Sequence, residues 1–350
     1  MSEHQDRSPA PAQKPLLEVD NLAVRFRTDH GEFAAVSGVS LTLKRGETLA
    51  VVGESGSGKS VTSLAVMGLL PKSSGCRVTG AIRLAGADGT TRDLLAINEE
   101  AMRGVRGKDI AMVFQEPMTS LNPVKTIGGQ ITEAVRLHRP MDRRAAEDEA
   151  CRLLDLVGIP APRQRLSAYP HQLSGGMRQR VMIAMALSGE PSILIADEPT
   201  TALDVTIQAQ ILDLIRRLQD TTGMAVMFIT HNLGVVAEIA DRVMVMYSGR
   251  VVEQADVRPL FKRPLMPYTS GLLRSVPRLD LAGRRASTLA AIPGNVPDPR
   301  FPPSGCAFHP RCSDRVDGRC DVETPELDEA GGSRRVRCLR WRELAPEAVS

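Results

Sequence analysis

Short apolar runs alternate with amphipathic stretches from about residue 16 to residue 250. Strands that are covered on both faces read as continuous apolar runs, whereas a helix on a sheet shows apolar residues at helical spacing. Residues 211–218 have that helical spacing, which predicts a helix packed against a sheet. The alternation therefore predicts a layered α/β fold. Its predicted strands are residues 48–52, 110–114, 193–196, 225–229 and 243–246.

Two segments lack this alternation. Residues 1–15 are polar and rich in proline, with too little apolar surface to offset the entropy of ordering, so we predict a flexible tail. Residues 116–172 contain no comparable apolar run. Their two periodic stretches, 127–137 and 145–157, predict a helical insertion.

The composition changes after about residue 264, where proline and arginine are abundant and aliphatic runs are few. A segment of this kind cannot build a sizeable core alone. We therefore divide the chain into a tail at 1–15, a main domain at 16–263 and a C-terminal extension at 264–350.

The composition is that of an ordinary soluble protein. Of 350 residues, 42% are hydrophobic and 24% are charged, which excludes a disordered or collagen-like chain. The formal net charge is +3, too small to indicate a nucleic-acid partner. No apolar run approaches the ~18 residues needed to cross a bilayer, and the N-terminus lacks the apolar segment of a signal peptide. We therefore expect the chain to stay in the cytoplasm.

Four of the six cysteines lie close to the C-terminus, in the segment with few aliphatic residues. In a reducing cytosol, gathered thiols indicate a metal site before disulfides, and a metal would supply the missing cross-link. The spacing lacks the C-x₂₋₄-C knuckle of structural zinc, and looser spacing can wrap an iron–sulfur cubane. Zinc, iron–sulfur and four unliganded cysteines therefore all stay open on chemistry alone, with a metal site favoured. The predicted ligands are Cys306, Cys312, Cys320 and Cys338.

The strongest motif is GESGSGKS at residues 53–60, which matches G-x-x-x-x-G-K-[ST] and directly follows the predicted strand 48–52. Its glycines allow a tight turn in which successive N–H groups converge on phosphate oxygens, as in a P-loop NTPase. Lys59 would neutralise the β and γ phosphates of ATP, and Ser60 would place its hydroxyl on Mg²⁺. The predicted nucleotide-binding residues of this loop are Gly53, Ser55, Gly56, Ser57, Gly58, Lys59 and Ser60.

A second motif is the pair of carboxylates Asp197 and Glu198, which ends the predicted strand 193–196. Next to a P-loop, a carboxylate at a strand end can reach Mg²⁺ through water, and a second one can polarise the water that attacks the γ-phosphate. We therefore predict that Asp197 serves the metal and that Glu198 is the catalytic base.

A third motif, LSGGMRQR at residues 173–180, narrows the interpretation to one family. With Gln115, Asp204 and His231 in their places along the chain, the order of motifs resembles an ATP-binding-cassette (ABC) ATPase over about residues 16–261. The resemblance implies a RecA-like α/β core with an antiparallel β subdomain and a helical insertion. It also implies that two cassettes make two shared sites. The residues that would cap ATP bound to the facing subunit are Ser174, Gly175 and Gly176.

The resemblance assigns roles to single residues as well. Gln115 would touch Mg²⁺ and the attacking water, His231 would contact the γ-phosphate, and Asp204 would reach across the dimer. Phe26 would stack on adenine, with His30 as a competitor for that role. Each has a plainer alternative: Gln115 as a surface residue, His231 as a turn residue, Asp204 as a helix cap and Phe26 as part of the core.

Several further stretches resemble the dipeptide and oligopeptide importer subfamily: residues 114–123, 169–174, 177–187, 267–269, 292–297 and 305–312. This resemblance implies an ATPase subunit at the cytoplasmic face of the cell membrane, attached to two transmembrane permease subunits through the helical insertion. It also implies an extracytoplasmic peptide-binding protein and a second cassette, as a heterodimer of homologous subunits. The resemblance adds a [4Fe–4S] cluster as the identity of the four-cysteine metal site.

Two other functions stay open from the sequence. Nickel importers share the cassette, so the transported solute could differ. A soluble ABC ATPase that acts on nucleic acid belongs to another class, but such chains usually carry long coiled-coil heptads, zinc inserts or two fused cassettes. None of these features is visible in this sequence, and we expect no nucleic-acid partner.

Overall fold

The computed structural model describes residues 14–28, 31–71, 75–86, 89–115, 120–201, 203–275 and 291–344. Residues 1–13 of the predicted tail and the alternative adenine contact His30 lie outside the described residues. The strands of the described residues are β1 (Leu17–Thr28), β2 (Gly31–Leu43), β3 (Thr48–Val52), β4 (Cys76–Ala85), β5 (Thr91–Asp93), β6 (Ile110–Val113), β7 (Ile193–Asp197), β8 (Ala225–Thr230), β9 (Arg242–Tyr247), β10 (Arg250–Asp256), β11 (Asp328–Glu329) and β12 (Arg335–Val336).

The strands form two sheets. The larger sheet has the order β11-β12-β10-β9-β3-β8-β7-β6, and its five strands from β9 to β6 are parallel. Successive residues of β8 enter opposite cores, since Val226 and Phe228 belong to one buried cluster and Met227 and Ile229 to another. A strand that is covered on both faces must be apolar throughout, which explains the continuous runs. The predicted layered α/β fold is confirmed.

Helices cover the larger sheet. The amphipathic stretch at 211–218 lies on a long helix whose apolar side is buried, as its spacing predicts. Two of the helices in the segment at 116–172 each begin at a capping side chain, Thr126 and Asp142. The helices of the described residues are α1 (Lys59–Val66), α2 (Glu99–Val105), α3 (Ile127–His138), α4 (Arg143–Leu156), α5 (Pro162–Arg165), α6 (Gly175–Leu187), α7 (Val205–Thr222), α8 (Leu233–Ile239), α9 (Val257–Lys262), α10 (Pro267–Arg274) and α11 (Trp341–Leu344).

The smaller sheet is antiparallel, with the order β2-β1-β4-β5. Its inner residues, such as Leu22 and Val24, share a buried cluster with Leu49 and Val51 of β3. The smaller sheet is therefore fixed to the face of the larger one by a common core. Within the described residues, no helix combines the length and the apolar character that crossing a bilayer requires.

The C-terminal extension packs on the main domain instead of folding alone. Strand β12 pairs with β10 and so adds to the larger sheet. Phe308, Trp341 and Tyr268 of the extension are buried in one cluster with Tyr247 of β9. The ring of Phe308 lies 5.3 Å from each of these tyrosine rings, centroid to centroid. Aromatic contacts of this kind supply the core that the extension lacks by itself.

The predicted metal centre in this extension is wrong. Among the described residues, no group of three or more His, Cys, Asp or Glu side chains could hold a metal ion, so neither a [4Fe–4S] cluster nor zinc is supported at Cys306, Cys312, Cys320 and Cys338. Burial raises the pKa of Cys306, that of Cys312 to about 11 and that of Cys338 to about 12, as is usual for thiols packed among apolar side chains. The error was to treat the extension as a unit that needs its own cross-link.

Candidate active site

The motifs that lie far apart along the chain meet at one edge of the larger sheet. Strands β3, β8, β7 and β6 are adjacent and parallel, so their carboxyl ends share that edge. The P-loop follows β3, His231 follows β8, Glu198 follows β7 and Gln115 follows β6. Ligands of open α/β sheets bind outside the carboxyl ends of the strands. The topology thus places the predicted chemistry where such folds bind their ligands.

Two P-loop glycines leave no room for a side chain. Gly53 has φ +155°, and a Cβ there would lie 2.3 Å from the carbonyl oxygen of Met246. Gly58 has φ +98°, and its Cβ would lie 2.8 Å from the carbonyl oxygen of Ala35. Both neighbours are backbone atoms, which cannot move aside cheaply. The backbone path of the loop therefore depends on these glycines.

Lys59 begins helix α1, and its ammonium group turns back into the loop. It donates hydrogen bonds to the carbonyl oxygens of Gly53 at 2.8 Å and Glu54 at 2.9 Å. Burial lowers the pKa of Lys59, while the nearby carboxylates of Glu198 and Asp197 act in the opposite direction. An ammonium group that donates to carbonyl oxygens in this way can donate instead to the oxygens of a bound phosphate.

Asp197 ends β7 as a buried carboxylate beside the start of α1. Burial raises the pKa of Asp197, and a hydrogen bond from the Ser60 hydroxyl opposes that effect. Its Oδ1 atom is buried without a hydrogen-bond partner among the described residues. Mg²⁺ prefers hard oxygen ligands and keeps several waters, so Ser60 and the unsatisfied oxygen of Asp197 fit this ion. Gln115, at the same edge, offers a further oxygen.

Glu198 is held by side chains from three different segments. Its Oε2 accepts hydrogen bonds from Thr201 Oγ1 at 2.8 Å and Gln115 Nε2 at 3.1 Å, and its Oε1 lies 3.1 Å from His231 Nδ1. Burial would raise the pKa of Glu198, but the hydrogen bonds with His231 and Thr201 outweigh burial and lower it. The group is therefore a carboxylate at neutral pH, as a general base must be.

The residues predicted to serve a facing subunit lie at helix starts. Ser174 precedes α6 and its hydroxyl accepts the N–H of Met177 at 3.3 Å, while Ser174 and Gly175 are exposed. Asp204 caps α7 by accepting the N–H of Ile207 at 2.9 Å, which is the plainer role considered for it. Ser174 and Asp204 thus cap helices of this chain and are also exposed at its surface. Gly176 is different: it is buried against Ile207, where a Cβ would lie 2.7 Å from that side chain.

Phe26, the predicted adenine contact, packs against another aromatic ring. It lies on β1 directly opposite Phe33 of β2, and the two rings stack with centroids 5.7 Å apart. Phe26 is partly buried and packs against the core that the two sheets share. The structure therefore gives it a packing role, and it adds Phe33 as an aromatic neighbour that the sequence did not single out.

Other contributors to the site were also missed from the sequence. The hydroxyl of Thr201 donates a hydrogen bond to Glu198. Its position three residues after the carboxylate is a sequence signal that could have indicated this contact. Glu54 of the P-loop is bound by the C-terminal extension through Arg311 and Tyr268. No local pattern marks a contact between residues so far apart along the chain.

Comparison with known proteins shows which family the chain belongs to. The sequence pattern of the ABC transporter family matches residues 36–201, and that of the oligopeptide/dipeptide transporter C-terminal region matches residues 252–320. A putative peptide import ATP-binding protein of Brucella abortus is 57% identical over 337 residues, covering 95% of this chain and 99% of that protein. The chain belongs to the ATP-binding proteins of the ABC peptide transporters. Proteins of this family are ATPases, and this chain is one of them.

Other members of the family extend the likeness. The dipeptide transport ATP-binding protein DppD of Bacillus subtilis is 51% identical over 334 residues, covering 95% of this chain and 97% of that protein. Among solved structures, a dimeric bacterial ABC transporter cassette matches with a TM-score of 0.60 and 26% identity. That match covers 69% of this chain and 99% of the other. The ABC cassette fold is therefore shown.

Proposed function

We propose that this ATPase powers the import of dipeptides or oligopeptides through a membrane permease, and that the edge of the sheet at Lys59, Asp197 and Glu198 is its catalytic site. The convergence of three independent motifs at that edge is the observation that carries the proposal. The peptide substrate rests on the names of the relatives and on the matched transporter C-terminal region.

In this proposal the P-loop binds the triphosphate of ATP. Its backbone N–H groups and the hydroxyls of Ser55 and Ser57 face the phosphates, and Lys59 leaves the carbonyl oxygens of the loop for the phosphate oxygens. The part of the Phe26 ring that stays exposed beside Phe33 and the core would stack on adenine. Ser60, Asp197 and Gln115 would hold Mg²⁺, which when bound supplies positive charge that offsets the charge of the phosphates.

Glu198 is the proposed general base. Its carboxylate orients the attacking water and accepts a proton from it, while His231 and Thr201 keep the carboxylate ionised and fixed in direction. Gln115 contacts the same carboxylate and follows β6, so it links the catalytic edge to the helical segment beyond it.

A second cassette completes each site in this proposal. One described P-loop and one signature at 173–180 are present in the chain, and Ser174 is exposed. Ser174, Gly175, Gly176 and Asp204 of this chain would close over the γ-phosphate of ATP on a homologous partner subunit. Binding of ATP at both sites would bring the two cassettes together, and hydrolysis would separate them.

The remaining partners follow from the peptide-import function. Two permease subunits would dock on the helical insertion at about 116–172, and a peptide-binding protein outside the cell would supply the substrate. The chain would then lie peripherally on the cytoplasmic face of the membrane. We propose a nucleotide-binding domain at 16–263 and a C-terminal extension at 264–350.

The test measures ATP hydrolysis by the complete complex in liposomes, with either a peptide-loaded binding protein or Ni²⁺ as the stimulus. The proposal expects that the loaded binding protein stimulates hydrolysis, that Ni²⁺ does not, and that Lys59→Ala abolishes the response. Lys44→Ala, at an exposed lysine in the turn before β3, is the control and should respond like the wild type. Stimulation by Ni²⁺ alone would reject the peptide substrate, and an active Lys59→Ala complex would reject the site.

A further inference from the structure

One arginine of the C-terminal extension is buried against the P-loop. The side chain of Arg311 is 4% exposed, and its Nη1 and Nη2 atoms donate to the two carboxylate oxygens of Glu54 at 2.7 and 3.0 Å. These residues are 257 positions apart along the chain. Two parallel hydrogen bonds between a guanidinium group and a carboxylate fix the orientation of the carboxylate as well as its distance from the arginine.

The rest of the guanidinium group is held by the extension and by β9. Its Nε donates to the carbonyl oxygen of Pro293 at 2.9 Å, and Nη2 also lies 3.4 Å from the carbonyl oxygen of Ile292. Its Nη1 lies 3.5 Å from the hydroxyl of Tyr247, and the group lies 5.9 Å from the centre of that ring. Arg311 therefore has little freedom to turn away from Glu54.

Glu54 passes this constraint to the nucleotide-binding lysine. Its N–H donates to the hydroxyl of Tyr268 at 2.9 Å, so α10 holds its backbone as Arg311 holds its side chain. Its carbonyl oxygen accepts a hydrogen bond from Lys59 Nζ at 2.9 Å. One P-loop residue is thus tied to the extension on two sides and to Lys59 on the third.

We propose that Arg311 is a positioning residue for ATP binding, which sets the path of the P-loop through Glu54. This inference rests on the proposed role of the P-loop in binding ATP. It gives the C-terminal extension a direct part in nucleotide affinity, because the loop cannot relax without leaving the buried guanidinium group of Arg311 unpaired.

A second ion pair of the extension provides a matched control. Arg334 lies 3.3 Å from the fully buried carboxylate of Glu253 and also contacts the carbonyl oxygen of Arg263. This pair fastens the extension to β10, whereas the Arg311 pair fastens it to the P-loop. Loss of either pair loosens the extension, but only the loss of Arg311 releases Glu54.

The experiment measures the dissociation constant of ATP by titration calorimetry of the full chain, together with the melting temperature. Arg311→Met should weaken ATP binding about tenfold, which corresponds to about 1.4 kcal/mol. Glu54→Gln should weaken it similarly, and the double variant should be no weaker than the single ones because they break the same pair. Arg334→Met should lower the melting temperature and leave ATP affinity within about twofold.

In the assembled complex, Arg311→Met should raise KM for ATP with kcat almost unchanged. The proposal is overturned if Arg311→Met binds ATP like the wild type, if Arg334→Met weakens binding equally, or if the effects of the two single variants add. Should Arg311→Met fail to fold, Glu54→Gln compared with Arg334→Met decides the question. Lys59→Ala separates the two hypotheses: if it too binds ATP normally, the proposed site is wrong, and if it alone loses binding, only the role of Arg311 is wrong.

Discussion

Replacement of Glu198 by glutamine tests the proposed chemistry most sharply, because it removes the charge and keeps the size of the side chain. General-base catalysis contributes about 10² to 10⁴ in rate, or about 2.7 to 5.5 kcal/mol of transition-state stabilisation. We therefore expect turnover by Glu198→Gln to fall at least ~10²-fold.

The structure also bounds the effect on ATP binding. The carboxylate accepts from Gln115 and Thr201 on one oxygen and lies beside His231 on the other. In glutamine, the amide oxygen can keep both hydrogen bonds made to Oε2, and the NH₂ group then faces His231 Nδ1, so at most one ordinary hydrogen bond of about 1 kcal/mol is lost. That cost is smaller than the catalytic loss. The ATP affinity of Glu198→Gln should therefore change by less than about tenfold.

The assay is single-turnover hydrolysis of radiolabelled ATP by the assembled complex, with ATP affinity measured separately. Glu238→Gln is the matched control, since Glu238 is a half-exposed glutamate on α8 that pairs with Arg216. It should hydrolyse ATP like the wild type. The assignment of Glu198 is refuted if Glu198→Gln keeps more than about a tenth of the wild-type rate, or if its loss of rate is matched by an equal loss of affinity.

Three further predictions follow from other parts of the structure. Ser174→Arg should leave ATP binding at Lys59 of the same chain intact and stop hydrolysis on the partner cassette; in a complex with one altered subunit, loss of binding at Lys59 itself would show that the site is not shared. Thr201→Val should raise the pKa of Glu198, because it removes a hydrogen bond to the carboxylate. When the pH is lowered, the variant should therefore lose activity at a pH about one unit above that at which the wild type does, and an unchanged pH profile would contradict this. Phe308→Ala should lower the free energy of unfolding by about 3 to 5 kcal/mol in urea titrations, because the ring is buried between two tyrosines. Phe301→Ala is its control, since Phe301 is 76% exposed and should cost less than about 0.5 kcal/mol.

The parts of the site that follow β-strands could be predicted from the sequence because their signals are local. A buried strand is apolar throughout, and the glycines, lysine or carboxylates that follow it stand out against that run. Parallel strands bring their carboxyl ends to one edge, so residues as distant as Gln115 and His231 meet without any sequence pattern that joins them. For this reason the sequence could indicate each motif at this edge, and the order of the strands explains why the motifs lie together.

The C-terminal extension could not be predicted in the same way. Few aliphatic residues and four cysteines suggested a unit held by metal, but its core is shared with Tyr247 of β9, and its strand β12 continues the larger sheet. Composition describes a segment alone and does not show what it packs against. The ion pair between Arg311 and Glu54 could not be predicted either, because no pattern in the sequence near one residue indicates contact with the other.

The central claim is that hydrolysis of ATP at the carboxyl edge of this sheet drives the entry of peptide. The most direct measurement counts phosphate released and labelled dipeptide accumulated in the same liposomes, with the binding protein present and with ATP or a non-hydrolysable analogue supplied. The account predicts that both quantities rise together with ATP, and that the analogue supports neither. Accumulation of dipeptide against its gradient with the analogue, or steady hydrolysis that moves no dipeptide, would contradict it.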